Sequence, residues 1–81
     1  MTRAQLAHRV AAVTGVSHVD VAGDADLTAL GVDSLAVMRL VNEWRVRGIP
    51  VTFRQLAEEP TLDAWHTVLT NLLRANSYLA A

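Results

Sequence analysis

Residues 27–40, LTALGVDSLAVMRL, place a single serine at the point where a helical pattern begins. The periodicity of the apolar residues predicts a helix from about Ser34 to Arg47 that ends at Gly48. Asp33 suits the N-cap position of this helix, so the serine directly after it needs an explanation of its own. The predicted core-facing side of the helix consists of Val37, Leu40, Val41 and Trp44.

The same helix carries a second apolar face. At about 100° per residue, Leu35, Met38 and Val46 fall on a side away from the predicted core, beside Arg39 and Asn42. One buried face is enough for a helix in a small bundle, so the second face is either covered by another element or forms an exposed partner-binding patch. Packing of Leu35 under the preceding loop is an open alternative. Met38 is the favoured partner contact because its flexible side chain adapts to different surfaces.

Ahead of this helix, the sequence predicts a first helix and a long connection. The first helix ends at Gly15, and its apolar stripe consists of Leu6, Val10 and Val13. Residues 15–33 are rich in glycine and aspartate and form a connection that is long for a compact domain. We expect Leu27 and Leu30 to attach the end of this connection to the core.

Two further helices follow. The pattern TFRQ is a capping box that predicts a short third helix over Thr52–Glu58, with Thr52 as its N-cap. A fourth helix is predicted after Pro60 with Thr61 as N-cap, and its stripe consists of Leu62, Trp65, Leu69 and Leu72. No stretch alternates over enough residues to predict a strand. The fold class is therefore all-α, a four-helix bundle with a long first loop and a short third helix.

Composition supports one small folded domain, which we expect to occupy residues 1–75, with 76–81 as a tail or linker. Hydrophobic residues make up 52% of the 81, which argues against disorder. The absence of cysteine excludes disulfides and thiolate metal sites. All seven basic residues are arginine and the formal net charge is −1, which argues against nucleic acid as a partner. With no signal peptide and no membrane-spanning run visible, we expect a cytoplasmic protein, or one domain of a cytoplasmic protein, without a membrane partner. We also expect it to be a monomer.

Three roles are open for Ser34. It could cap the helix, although Asp33 already suits that position. It could be a nucleophile, but "GVDSL" lacks the second glycine of G-x-S-x-G, and nothing in the sequence brings His8, His18 or His66 to it. It could instead accept a phosphate-linked group, because backbone N–H groups and the helix dipole favour negative charge at a helix N-terminus. The histidine spacing predicts no metal site.

The stretch LTALGVDSLAVMRL resembles the attachment motif of phosphopantetheine-dependent carrier proteins, whose core is G-x-[DH]-S-[LIV]. The resemblance covers roughly residues 4–74 and includes the helix pattern, the long first loop and the short third helix. The segment VNEWRVRGIPVTFRQLAEEPTLDAW is similar to aryl carrier domains of siderophore-type nonribosomal peptide synthetases. The matching parts are Trp44-Arg45, the run from Phe53 to Leu56 and the run from Pro60 to Trp65.

The resemblance implies a non-catalytic carrier. A phosphopantetheinyl transferase would attach 4′-phosphopantetheine from coenzyme A to Ser34, with Asp33 capping the helix and contacting the transferase. The arm's thiol would hold an aryl or aminoacyl group that an adenylating enzyme loads and a condensation or cyclisation domain accepts. The expected partner-recognition residues are Leu35, Met38, Arg39, Asn42 and, more weakly, Phe53. For Phe53 a place in the core is favoured, and Trp44 and Trp65 are expected to be packing residues.

Two alternatives to this function remain open at the level of the sequence. The domain could be a peptidyl or acyl carrier of another natural-product pathway. It differs from the strongly acidic carriers of fatty acid synthesis, because its second helix bears Arg39, Arg45 and Arg47 against the single Glu43. The other alternative is a small helical interaction domain without a covalent arm.

Overall fold

A computed structural model describes residues 2–15 and 22–80 of the chain, and for residues 76–80 it describes the backbone alone. The described part contains four helices and no strand, which confirms the predicted all-α fold class. In chain order they are α1 (Arg3–Thr14), α2 (Ser34–Val46), α3 (Phe53–Glu58) and α4 (Leu62–Ala80). None of the helices in the described residues is long and apolar enough to cross a membrane.

Helix α1 has well-defined ends. Thr2 caps its N-terminus in a capping box, in which the Gln5 backbone N–H donates to Thr2 Oγ1 at 3.1 Å and the Thr2 N–H donates to Gln5 Oε1 at 2.8 Å. The C-terminus stops at Gly15, as predicted, because this residue adopts a left-handed conformation with φ of 75°. Leu6 and Val10 are fully buried, whereas Val13 is partly buried against the core.

Helix α2 is the central element. The Asp33 carboxylate accepts the Ala36 backbone N–H at 2.9 Å, which confirms Asp33 as the N-cap. The helix ends at Val46, one residue before the predicted end, and Gly48 follows with φ of 88°. All four residues predicted for its core-facing side are buried: Val37, Leu40, Val41 and Trp44.

The caps of α3 and α4 are also as predicted. Thr52 caps α3 and forms a capping box with Gln55, and the Ala64 backbone N–H donates to Thr61 Oγ1 at 3.1 Å at the start of α4. Helix α4 continues through Ala80, so most of the segment predicted as a tail has helical backbone. The boundary between a domain and a linker at residue 75 stays a prediction.

The end of the long first loop is attached to the start of α4. Leu27 is fully buried, and its backbone N–H donates to the Pro60 carbonyl at 2.8 Å. Nearby, the Asp63 N–H donates to the Gly23 carbonyl at 3.0 Å. Leu30 packs, partly buried, against the core, so both predicted attachment residues are confirmed. This attachment holds the residues just before α2 in a defined position.

Both tryptophans lie in the core, as predicted, with no exposed surface. The Trp65 indole N–H donates to the Leu56 carbonyl at 2.8 Å. That carbonyl would ordinarily accept the N–H four residues further on, but this residue is Pro60, which has none. Trp65 therefore joins the end of α3 to α4. The buried Trp44 indole N–H, in contrast, has no acceptor among the described residues.

Candidate functional site

Ser34 is the first residue of α2 and is exposed. Because Asp33 occupies the N-cap, the serine hydroxyl is not needed to satisfy the backbone at the helix start. No residue in the described ranges forms a hydrogen bond with the Ser34 side chain. The interpretation of Ser34 as the helix cap is therefore wrong, and its hydroxyl is exposed and available for chemistry.

A short turn fixes the backbone just before this serine. The Val32 N–H donates to the Leu27 carbonyl at 3.0 Å, and the Val32 side chain is buried. Gly31 precedes it with φ of 105°, a conformation that residues with a side chain rarely adopt. The glycine thus lets the chain turn so that Val32 enters the core while Asp33 and Ser34 remain on the surface.

The structure provides no support for a catalytic serine. His8 lies on α1 and His66 on α4, and within the described part of the chain neither hydrogen-bonds to Ser34. His18, the third candidate base, lies outside the described residues. A general base must reach the proton that it abstracts, and no described histidine forms a hydrogen bond with the Ser34 hydroxyl. Among the described residues, no three His, Asp or Glu side chains cluster closely enough to hold a metal ion.

The second face of α2 is exposed along its whole length. Leu35 is 62% exposed, Met38 39% and Val46 88%. Arg39 and Asn42 are exposed beside them. The prediction of two apolar faces is therefore confirmed, and the alternative that Leu35 packs under the loop is wrong.

Phe53 corrects the sequence-based expectation. We expected it in the core, but as the first residue of α3 it is 36% exposed. The core space at α3 is filled by Leu56 and by the segment before the helix, which contributes Ile49 and Val51. Sequence periodicity missed these two residues because they lie outside any helix. Phe53 is thus an exposed aromatic residue on the helix that packs against α2.

The charges along α2 are cationic or paired. Glu43, its single acidic residue, forms ion pairs with Arg9 of α1 and with Arg47. The Arg45 guanidinium donates to the Val51 carbonyl at 3.4 Å, which connects the end of α2 to the segment before α3. Arg39 is exposed on the same face of α2 as Leu35 and Met38. The exposed face of α2 beyond the serine is therefore apolar with a basic residue, and the acidic side chain next to the serine is the N-cap Asp33.

Comparison with known proteins identifies the family. The model of the phosphopantetheine attachment site family matches residues 4–69, most of the chain. A phenyloxazoline synthase MbtB from Mycolicibacterium paratuberculosis is 43% identical over 61 residues, which cover 75% of this chain and 5% of that protein. An isochorismatase from Bacillus subtilis is 45% identical over 51 residues, which cover 63% of this chain and 16% of that protein. Pyochelin synthetase PchE from Pseudomonas aeruginosa is 44% identical over 48 residues, which cover 59% of this chain and 3% of that protein.

The chain thus spans at most about a sixth of the length of these relatives. No solved structure matches it significantly. The resemblance to carrier domains of siderophore-type nonribosomal peptide synthetases is confirmed, and with it the carrier role and the cofactor. Domains of this kind are generally non-catalytic parts of multienzyme systems and work with transferases, adenylation domains and condensation or cyclisation domains. The chain belongs to the phosphopantetheine attachment site family, whose domains carry 4′-phosphopantetheine covalently.

Proposed function

We propose that Ser34 is the attachment residue and that this domain, itself non-catalytic, carries an aryl group in nonribosomal peptide synthesis. The observation that carries the proposal is the division of roles at the start of α2. Asp33 accepts the Ala36 N–H as the cap, while the hydroxyl of the next residue is exposed and has no partner among the described residues. A hydroxyl in this state can be esterified without removing an interaction that the helix needs.

The surroundings of Ser34 fit a phosphodiester. In the proposed reaction the serine oxygen attacks the phosphorus next to the pantetheine in coenzyme A. The bond to the adenosine bisphosphate part breaks, and the serine proton passes to the transferase. The new negative charge then lies at the N-terminus of a 13-residue helix, whose dipole and free backbone N–H groups stabilise an anion. Asp33 keeps the helix start intact and is the proposed contact for the transferase.

The arm supplies the chemistry that the chain lacks. There is no cysteine in the sequence, so the thiol that forms a thioester with the cargo has to come from the bound cofactor. The similarity to phenyloxazoline synthases and to pyochelin synthetase supports an aryl cargo, with an aminoacyl cargo as the alternative. The cargo is selected mainly by the adenylating enzyme, which loads it.

Partner enzymes are proposed to recognise the exposed face of α2 next to Ser34, together with the start of α3. Leu35 and Met38 supply exposed apolar surface within about one turn of the serine, and Phe53 supplies an aromatic ring. Arg39 and Asn42 add polar contacts that can fix orientation. The proposed partners are a phosphopantetheinyl transferase, an adenylating enzyme and a condensation or cyclisation domain. The monomeric state and the cytoplasmic location stay predictions.

The test is a two-step loading experiment followed by intact mass spectrometry. Coenzyme A and a broad-specificity transferase are expected to add one phosphopantetheinyl group. Adding ATP with a salicylate- or dihydroxybenzoate-adenylating enzyme is then expected to add one aryl group, which hydroxylamine removes because it is a thioester. A parallel reaction uses an amino-acid-adenylating enzyme in place of the aryl-adenylating enzyme.

The two steps separate the parts of the proposal. No gain in the first step would contradict the carrier function and leave a helical interaction domain. Loading by the amino-acid-adenylating enzyme alone would contradict the aryl cargo while keeping the carrier function. Reaction of the untreated chain with a serine-directed phosphonate would contradict the non-catalytic assignment.

A further inference from the structure

A groove between α1 and α2 lies away from the proposed attachment site. Its volume is about 620 Å³, and it is lined by Ala4, Gln5, His8, Arg9 and Arg47. Arg47 follows the last residue of α2, whereas Ser34 is the first, so about 20 Å of helix separates them. The groove is therefore too far along the molecule to belong to the immediate surroundings of Ser34.

The lining of this groove is cationic. Arg9 Nε lies 3.1 Å from Glu43 Oε1, and Arg47 Nη2 lies 3.5 Å from the same oxygen. Two guanidinium groups thus share one carboxylate, which leaves an excess of one positive charge. Each guanidinium has five N–H donors, and a single oxygen uses only a few of them. No further carboxylate is among the residues that line the described groove.

The shared carboxylate holds the two arginines in place. The Glu43 side chain is only 25% exposed, whereas those of Arg9 and Arg47 are 35% and 52% exposed. Glu43 lies on α2 and contacts both Arg9 of α1 and Arg47, so it orients the two guanidiniums at the groove while part of each stays open to solvent. Arginines that are positioned in advance lose less conformational freedom when they bind a carboxylate.

A second groove in the described residues is lined by acidic side chains. This groove, of about 390 Å³, lies between α3 and α4, and its lining includes Glu58, Glu59 and Asp63 but no basic residue. Two of these carboxylates are paired, Asp63 with Arg3 and Glu58 with Arg54. Glu59 thus gives this lining an excess of one negative charge. An acidic ligand is therefore disfavoured there and favoured at the α1–α2 groove. The charge distribution therefore distinguishes between the two grooves and favours an acidic occupant for the first.

We propose that the α1–α2 groove is a docking surface for an acidic polypeptide segment of a partner protein. Glutamate or aspartate side chains of that segment form charge-assisted hydrogen bonds with the free donors of Arg9 and Arg47, and Gln5 and His8 line the same groove. This contact goes beyond the proposed carrier function, because it involves neither Ser34 nor the arm. A partner held there would still leave Ser34 accessible, together with Leu35 and Met38 at the same end of α2.

The test is an NMR titration of the full chain, without the arm, with hexaglutamate at low salt. Amide shifts are expected at Gln5, His8, Arg9 and Arg47, and they are expected to weaken as salt is raised. Arg9→Gln and Arg47→Gln are each expected to raise the dissociation constant about threefold to fivefold, as for a partly exposed charge pair. Arg47→Gln leaves the Arg9–Glu43 ion pair in place, and circular dichroism checks that both variants are folded.

The matched control is Arg54→Gln, which removes the same charge from an arginine on α3 that is 88% exposed and lies outside the groove. It is expected to leave the dissociation constant unchanged. Absence of shifts at the groove, or an equal loss of binding in Arg54→Gln, would overturn the proposal. Free glutamate or inorganic phosphate producing the same shifts at the same concentration would also overturn it, since the groove would then be a small-anion site.

Discussion

At the scale of single residues, the two buried tryptophans have different tasks. Trp65 fills core space and also donates its indole N–H to the Leu56 carbonyl, which Pro60 leaves without its usual helical donor. Trp44 is equally buried, but its indole N–H has no acceptor among the described residues. Removing a satisfied buried hydrogen bond costs more than removing an unsatisfied donor.

We therefore expect Trp65→Phe to lower the free energy of unfolding more than Trp44→Phe does, by about 1–3 kcal/mol. Both substitutions remove a similar ring volume from a fully buried position, so the cavity contribution largely cancels between them. Urea unfolding followed by far-ultraviolet circular dichroism measures the difference. Equal losses in the two variants would show that the Trp65 hydrogen bond contributes little.

The residue scale is also where the sequence was most informative. The Asp33-Ser34 pair, the Thr52 and Thr61 caps and the stop at Gly15 follow from local rules of helix ends, and the structure confirms the three caps and the stop. Such features depend on neighbours within four residues, which the sequence states directly. The role of Ser34 was not decided by spacing, because a serine at a helix start suits both a cap and an acceptor.

At the scale of elements, α2 combines a core face and an exposed apolar face. Val37 is buried and Met38, its neighbour in sequence, is 39% exposed, because 100° of helical rotation separates them. The periodic pattern predicted this division. It did not predict the exposure of Phe53, because the place of a short helix relative to the core depends on Ile49 and Val51 in the segment before it.

We expect Met38→Asp to slow transfer of the cargo to a partner enzyme while lowering the free energy of unfolding by less than about 1 kcal/mol, typical of a surface substitution. Val37→Asp is the matched variant and places the same charge in the core, where an unpaired carboxylate costs several kcal/mol. Chemical denaturation and single-turnover transfer measure the two effects. A large loss of stability in Met38→Asp would identify Met38 as a core residue and contradict its recognition role.

At the scale of the whole molecule, the attachment of the first loop to α4 determines where the serine lies. Leu27 is fully buried and its backbone bonds to Pro60, although the two residues are far apart in sequence. The sequence predicted that Leu27 attaches to the core but not which element receives it. The Arg9–Glu43 ion pair was likewise not predicted, because such pairs depend on how helices pack rather than on local pattern.

We expect Leu27→Ala to destabilise the domain by about 2–5 kcal/mol, the usual loss for a leucine truncated in a core. Leu30→Ala is the matched control, since Leu30 is only partly buried, and it is expected to cost clearly less. Thermal and urea unfolding measure both variants. If Leu27→Ala lowered the free energy of unfolding no more than Leu30→Ala does, a structural role for the loop attachment would be contradicted.

The central claim is that Ser34 bears the phosphopantetheine arm, and the chain itself contains the controls, because its other serines are Ser17 and Ser77. The most direct measurement is mass spectrometry after reaction with coenzyme A and a transferase, applied to the unaltered chain and to the three single serine-to-alanine variants. Fragmentation is expected to place one phosphopantetheinyl group on Ser34, and only Ser34→Ala is expected to remain unmodified, with its helical content retained because Asp33 caps α2. Modification of folded Ser34→Ala, or its loss in Ser17→Ala or Ser77→Ala, would contradict the claim.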